Sequence, residues 1–146
     1  MGFESVPTND HHIFIGHRNI EIDSLFIYEN IWLICEDTVK DTAKKMTHVR
    51  EHIRTKNEAF GIIKTNKQAY LDKLLELFPE KKELLQKYDL SRVKIFGLYI
   101  SKNELFLSGD DHELFDNLIF IQPKILEYFV WISKCIKHSA RNEVFK

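Results

Sequence analysis

The stretch EIDSLFIYENIWLICEDT, residues 21–38, decides how the rest of the sequence is interpreted. It contains two short apolar runs that meet at Glu29 and Asn30, so it predicts a β-hairpin. Acidic residues stand near the start of the first run and at the end of the second, although Asp and Glu are poor strand formers. A buried carboxylate is costly unless it is paired or bound to a cation. The pattern therefore indicates that these carboxylates have such a partner.

The flanking sequence predicts strands first and then helices that alternate with strands. Alternation and β-branched content predict strands over 12–16, 19–28, 31–36, 92–101 and 118–122. Thr38 fits an N-cap, with Asp41 three residues later, and the helix that it opens is expected to end near Phe60 and Gly61. Further helices are predicted over 67–78, over 80–88 and from Pro123 onward, with a partial helix before 118. This order favours one α/β domain over residues 1–146, in which a central mixed β-sheet is flanked by helices.

The bulk composition describes an ordinary globular chain. Its 146 residues are 44% apolar, with eleven Phe, which suits one domain with a sizeable core. The formal net charge of −1 gives no overall attraction to nucleic acid. The two cysteines are far apart in apolar runs, so we expect buried thiols in a reducing, cytoplasmic compartment. No apolar run is long enough to predict a membrane span. The ends of the chain are also consistent with a fragment of a larger protein.

The spacing of the acidic residues is similar to that in a known family. The run GHRNIEID, residues 16–23, followed by EDT at 36–38, resembles the PD-(D/E)xK nuclease superfamily, whose domains have the restriction-endonuclease-like fold. That family carries an Asp on one strand of a hairpin and a (D/E)-x-K on the next, and Asp23 and Glu36 match the two acidic positions. The resemblance implies a restriction-endonuclease-like α/β domain that hydrolyses phosphodiester bonds, with DNA as the expected substrate.

The resemblance also implies a metal cofactor, Mg²⁺ or Mn²⁺, held by Asp23 and Glu36. Glu21 is expected to assist, either as a third metal ligand or as a neighbour of the ligands that does not touch the metal. Mg²⁺ takes oxygen ligands and commonly uses one or two carboxylates together with water and phosphate. Two carboxylates on adjacent strands suit that requirement.

The sequence departs from the family pattern at the lysine. Thr38 stands two positions after Glu36, where the motif has Lys, and a threonine carries no positive charge. In some families the lysine has moved to the following helix, and on that basis Lys40 and Lys44 are predicted as catalytic replacements, with Lys45 beside them.

Positive residues are concentrated between positions 40 and 67, which predicts a helix surface that contacts nucleic-acid phosphates. The same residues also fit an ordinary solvated helix face. The predicted nucleic-acid contacts are Lys40, Lys44, Lys45, Arg50 and Arg54.

Other residues with chemical potential have simpler interpretations. His48 and His52 are four residues apart, a spacing that can bind a metal, but no Glu completes an HExxH motif and no third ligand is evident. Cys35 has no accompanying His and Asp pattern that would mark it as a nucleophile.

Three functions remain open at this point. The first is a metal-dependent nuclease, or a nuclease-derived domain of a larger DNA-processing or defence protein. The second is a module of the same fold whose site has decayed and which retains DNA or protein binding, as Thr38 would favour. The third is a small immunity or anti-defence interaction protein. Flanking domains or a homodimer are compatible with each of them.

Overall fold

A computed structural model describes residues 2–38 and 46–144 of the chain. A five-stranded mixed β-sheet lies at the centre, and a separate two-stranded hairpin lies beside it. Helices flank the central sheet, which confirms the predicted α/β class. Within the described residues the strands are β1 Glu4–Val6, β2 His12–Ile15, β3 Arg18–Glu21, β4 Ser24–Tyr28, β5 Ile31–Asp37, β6 Lys94–Ile100 and β7 Leu118–Ile121.

The helices lie mainly between β5 and β6 and after β7. Two 3-10 turns, Pro79–Lys81 and Leu90–Arg92, connect them to the neighbouring elements. The α-helices of the described residues are α1 Met46–Thr65, α2 Lys67–Leu77, α3 Lys82–Leu85, α4 Gly109–Leu114 and α5 Pro123–Val144.

The central sheet has the strand order β1-β4-β5-β6-β7. β1, β4 and β5 are antiparallel neighbours, whereas β5, β6 and β7 run parallel. The predicted hairpin is confirmed as β4 and β5, and Glu29 takes a positive φ of 53° in its turn. Asn30 fixes this turn to the start of β6, because its side chain donates a hydrogen bond to the Arg92 carbonyl.

The prediction of a single strand over 19–28 is wrong. The chain forms β3 up to Glu21 and a new strand, β4, from Ser24, and the two belong to different sheets. The cause is a change in the phase of burial, because Ile20 and Ile22 are buried at even positions and Leu25 at an odd one. A strand with period two cannot keep both sets on one face, so the chain bends between them.

Three smaller differences concern element boundaries. β1 was not predicted, since three residues carry too little periodicity to mark a strand. α1 continues past Gly61 to Thr65. The predicted N-cap partner Asp41 lies outside the described residues, while the Thr38 hydroxyl donates a hydrogen bond to the Ile100 carbonyl.

One face of the central sheet packs against α1 and α2. Trp32 of β5 meets Tyr70 of α2 edge-on, with ring centroids 6.5 Å apart, and both side chains are fully buried. Gly97 allows α1 to approach β6 closely, because a Cβ there would lie 2.3 Å from the Phe60 ring. This contact fixes the height of α1 above the sheet, and with it the side chains that α1 directs toward the end of β5.

α5 differs from the other helices because large apolar side chains along it are exposed. They are Tyr128, Phe129, Val130, Trp131 and Ile136. Despite this apolar surface, none of the helices in the described ranges has the length and hydropathy that crossing a lipid bilayer requires.

Candidate active site

The β4–β5 register brings the two predicted carboxylates to one face of the sheet. Ser24 and Cys35 are the last pair of this register, and continuing it by one residue, to the bend where Asp23 lies, sets position 23 opposite position 36. Residues directly opposite in an antiparallel pair direct their side chains to the same face. That face also carries Leu25 and Ile34 and is the one that α1 covers. The expectation that Asp23 and Glu36 lie together at the end of the hairpin therefore agrees with the register.

Glu36 is a buried carboxylate with two basic neighbours from α1. Only 6% of the residue is exposed. Lys56 Nζ lies 3.0 Å from Glu36 Oε2, and His52 Nε2 lies 3.3 Å from Glu36 Oε1. His52 and Lys56 are four residues apart, so they lie on the same side of α1, one turn from each other. A carboxylate taken out of water needs compensation of this kind.

His52 is held in place by a tyrosine from the next strand. Tyr99 is the register partner of Glu36 on β6, and its hydroxyl lies 2.7 Å from His52 Nδ1. The two rings also meet edge-on. An imidazole that directs its Nε2 proton at the carboxylate leaves Nδ1 to accept a hydrogen bond from the Tyr99 hydroxyl. The arrangement orients the ring toward Glu36.

Asp23 is tied to the end of β5 through the backbone. The Asp37 N–H donates a hydrogen bond of 2.8 Å to Asp23 Oδ2. Burial raises the pKa of the Asp23 carboxyl, and the negative charge of Glu36 acts in the same direction, whereas the Asp37 N–H and Lys56 oppose the rise. A raised pKa at a carboxyl that adjoins a second carboxylate is the electrostatic situation that a bound cation relieves.

Lys56 of α1 contacts both the Glu36 carboxylate and the backbone at Glu21. Its Nζ lies at the Glu36 carboxylate and also donates a hydrogen bond of 3.0 Å to the Glu21 carbonyl. The Lys56 side chain is only 14% exposed, so its ammonium group is held rather than solvated. Lys56 belongs to the basic segment between positions 40 and 67, but it was not predicted as a catalytic lysine. The signal that could have found it is its spacing of four from His52, next to the buried stripe of α1 that contains Ile53 and Phe60.

The predicted catalytic lysines lie in a part of the chain that the structure does not cover. Lys40 and Lys44, and Lys45 beside them, fall outside the described residues. Thr38, at the motif position, is bonded to the Ile100 carbonyl through both its backbone N–H and its hydroxyl. Lys56 is thus the lysine that the described residues bring to Glu36.

In the part of the chain that the structure describes, Glu21 contacts the site only with its backbone carbonyl. It ends β3, where it pairs with His12, and its side chain is exposed. The prediction that Glu21 and Asp23 share one strand is wrong, because the bend at Asp23 separates them. The contribution that the structure records for Glu21 is the carbonyl oxygen that accepts the Lys56 hydrogen bond.

Arg50 and Arg54, predicted to contact nucleic acid, lie on α1 away from the Glu36 carboxylate. Arg50 forms an ion pair of 2.7 Å with Asp111, and this guanidinium is the main cause that holds the pKa of the Asp111 carboxyl well below its usual range. Asp111 also completes the capping box of α4 with Ser108. Arg50 thus joins α1 to α4, while Arg54 is exposed.

Cys35 adjoins Glu36 in sequence but lies on a different side of β5. Burial, followed by the charges of Asp37 and Asp23, raises the pKa of its thiol to about 11. A thiol with this pKa is protonated at neutral pH, so it is a poor nucleophile. This agrees with its interpretation as a residue of the sheet core.

The donor groups suit a hard divalent cation with few protein ligands. In the parts of the chain that the structure describes, no three His, Cys, Asp or Glu side chains converge as a metal cage. His48 is exposed, whereas His52 contacts Glu36, so the two histidines do not form a pair. Glu36 Oε2 is buried and lies at ion-pair distance from Lys56, but it accepts no hydrogen bond from the described residues. Two neighbouring carboxylates are the ligand type that Mg²⁺ takes, and Mg²⁺ keeps several water or phosphate ligands besides them.

A scan against protein-family models and searches of curated proteins and of solved structures found no match to this chain.

Proposed function

We propose that this chain is a metal-dependent nuclease of the PD-(D/E)xK type, or the nuclease domain of a larger DNA-processing or defence protein. The observation that carries the proposal is the position of Lys56 Nζ, 3.0 Å from the buried Glu36 carboxylate, with Asp23 close by at the bend that precedes β4. These are the three charges that the family motif requires, with the lysine supplied by a helix. The mixed sheet with its central hairpin supports a restriction-endonuclease-like fold as part of the same proposal.

In this proposal Asp23 and Glu36 hold Mg²⁺ or Mn²⁺. When bound, the ion lowers the pKa of a water molecule and offsets negative charge that develops on the phosphate. The chain supplies the fixed frame. The Asp37 N–H orients Asp23, and His52, braced by Tyr99, orients Glu36.

Lys56 provides positive charge next to the scissile phosphate. Its hydrogen bond to the Glu21 carbonyl fixes the ammonium group in the site before substrate arrives. Charge that is already oriented stabilises the transition state without reorganisation, and one such donor typically contributes about 10²–10³-fold in rate. Lys40 and Lys44 remain candidates for the same role, and Arg54 and Lys45 for contacts to phosphates.

The proposed setting is the reducing environment of the cytoplasm. Cys35 and Cys135 are both free thiols, which supports this, although only Cys35 is buried and the prediction of a buried Cys135 is wrong. DNA is the proposed substrate because of the family resemblance.

The test is cleavage of supercoiled plasmid with Mg²⁺ or Mn²⁺, with EDTA as the metal-free reference. The wild-type chain is expected to nick the plasmid only when metal is present. Glu36→Gln and Asp23→Asn are expected to abolish nicking, and Lys56→Met to reduce it by about 10²-fold, since each removes one of the three charges. Thermal unfolding of each variant verifies that it is folded at the assay temperature.

Lys82→Met is the matched control, because Lys82 is an exposed lysine of α3. It is expected to cleave like the wild-type chain. Nicking that persists in EDTA, or that survives in Glu36→Gln, would contradict the nuclease proposal.

A binding module with a decayed site is the second candidate. The observation in its favour is that both oxygens of Glu36 already have basic neighbours, Lys56 and His52, while Thr38 stands at the motif lysine. Retention of plasmid that weakens with salt, without cleavage under any metal condition, would favour this candidate over the nuclease.

A further inference from the structure

A cationic cleft lies at the end of β6 remote from the candidate active site. Its volume is about 620 Å³. The β6–β7 register begins at Gly97 with Leu118, so Lys94 and the two residues after it precede β7 and leave an open edge. Glu36 pairs with Tyr99, five positions after Lys94, which sets the two sites about 16 Å apart at the usual strand rise.

The cleft collects four basic side chains from four elements. None of the described residues that line it is acidic. The basic residues are Lys64 of α1, Lys67 of α2, Arg92 of the second 3-10 turn and Lys94 of β6.

Two of these cations have an acidic residue near them, Asp116 near Lys64 and Asp89 near Arg92, but the hydrogen bonds of the two lysines go to neutral groups. Lys64 Nζ and Lys67 Nζ donate hydrogen bonds to the backbone carbonyls of Asn117 and Val93, at 3.3 and 2.6 Å. A carbonyl is neutral, so it orients an ammonium group without cancelling its charge. The Arg92 guanidinium lies over the Tyr88 ring, with its central carbon 5.5 Å from the ring centroid.

Partial burial of Lys64 makes its positive charge less favourable than it would be in water. It lowers the pKa of Lys64, against a smaller opposing influence from Asp116. Like charges gathered in a partly buried cleft repel one another, and an anion relieves both the repulsion and the burial cost.

Phe96 gives the cleft an aromatic surface beside its cations. It lines the cleft, and 37% of the residue is exposed. Proteins that bind single strands combine a positive groove for phosphates with aromatic rings for bases. The second 3-10 turn and β6 bring both kinds of group together here.

We infer that this cleft binds the phosphate backbone of the nucleic-acid strand that the candidate active site cleaves, with a base against Phe96. The inference rests on the proposed nuclease function. A separation of about 16 Å corresponds to about five nucleotides at the duplex rise of about 3.4 Å per strand, so a ligand that occupies both sites is a strand and not a single nucleotide.

The experiment is fluorescence anisotropy with a fluorescein-labelled single-stranded DNA 12-mer in EDTA, so that binding is measured without cleavage. The wild-type chain is expected to bind the 12-mer much more tightly than a trimer. Lys94→Glu is expected to weaken binding about tenfold at low salt and to reduce the slope of log K against log salt by about 0.7, the value for one phosphate contact on a single strand.

Lys82→Glu is the matched control, since it makes the same change of charge at an exposed lysine outside the cleft. At about 0.15 M salt it is expected to bind within about twofold of wild type, because charges more than about 8 Å apart are then largely screened. If Lys94→Glu is poorly folded by circular dichroism, Arg92→Glu replaces it. Equal weakening by Lys82→Glu and the cleft variant would overturn the inference.

Free phosphate compounds distinguish a strand site from a site for a small anion. Inorganic phosphate and a nucleoside monophosphate are expected to compete only weakly with the 12-mer. Trimer and 12-mer affinities that are equal would overturn the strand assignment.

The binding and cleavage experiments test the cationic cleft and the candidate active site separately. Binding that depends on Lys94, without metal-dependent cleavage, would refute the nuclease and keep the cleft. Cleavage with binding that is indifferent to Lys94→Glu would refute the cleft alone.

Discussion

The two ends of the β5–β6 pair differ in the charged groups they carry and in the partners of those groups. At the end near Glu36, a buried carboxylate has Lys56 and His52 as close basic neighbours. At the end near Lys94, basic side chains gather in the cleft with backbone carbonyls as their hydrogen-bond acceptors. The Glu36 carboxylate is therefore paired with cations of the fold, whereas Lys64 and Lys67 of the cleft are hydrogen-bonded to neutral carbonyls. Loss of a lysine should thus affect stability at one end and binding at the other.

The largest expected effect on stability comes from Lys56→Met. The substitution leaves the Glu36 carboxylate buried without its nearest cation, and breaking a buried pair from one side costs about 3 kcal/mol or more. The melting temperature should fall by about 6–12 °C in a domain of this size. Differential scanning calorimetry in EDTA measures it.

The double variant Glu36→Gln/Lys56→Met serves as the control. It also removes the negative charge of Glu36, which Lys56→Met leaves without its nearest cation, and should therefore recover a large part of the lost stability. A Lys56→Met chain that melts within about 1 °C of wild type would show that the two ends do not differ in this way.

A smaller effect is expected from Lys94→Met at the cationic end. Lys94 is exposed and surrounded by charges of the same sign, so its removal should change the free energy of unfolding by no more than about 0.5 kcal/mol, in the stabilising direction. The same calorimetry measures it. A loss of stability comparable to that of Lys56→Met would remove the distinction between the ends.

An effect of about the same small size, also in the stabilising direction, is expected from Asp23→Asn. A carboxyl whose pKa is raised on folding binds its proton more tightly in the native state, so its ionised form destabilises the fold at neutral pH. Asparagine removes the charge and keeps an oxygen that can accept the Asp37 N–H. In EDTA at pH 7.5 the melting temperature should rise by about 1–2 °C.

The pH dependence provides the control for this variant. Below the ordinary Asp value of 3.8 the carboxyl is protonated in both states, so the difference between variant and wild type should vanish there. It should grow as the pH rises through the higher native value. An Asp23→Asn chain that is less stable than wild type at pH 7.5 would contradict the electrostatic account of this site.

The β4–β5 hairpin could be predicted from the sequence because the residues that indicate it are close together in the chain. The turn at Glu29 and Asn30 and the two apolar runs lie within one short segment, and the register of opposite residues follows from the turn. Asp23 and Glu36 could therefore be placed together without a structure. The break between β3 and β4 corresponds to a change in the phase of the buried positions, from even at Ile20 and Ile22 to odd at Leu25. The prediction extended the even alternation across this change and therefore missed the break.

Lys56 could not be placed by the same reasoning. Its distance from Glu36 depends on the height and rotation of α1 over the sheet, which the contact between Gly97 and Phe60 sets. That contact joins residues far apart in sequence, and a single sequence gives no register between a helix and a strand. The cationic cleft was missed for the same reason, since its side chains come from four separate elements.

The most direct test of the central claim is the change in melting temperature when Mn²⁺ or Mg²⁺ is added to the wild-type chain, Asp23→Asn and Glu36→Gln. If the two carboxylates share a cation, wild type should gain about 2.7 kcal/mol when the metal is at about 100 times its Kd, a shift of about 5–10 °C, and neither variant should respond. A wild-type melting temperature that is unchanged by metal, or one that rises equally in both variants, would contradict the claim.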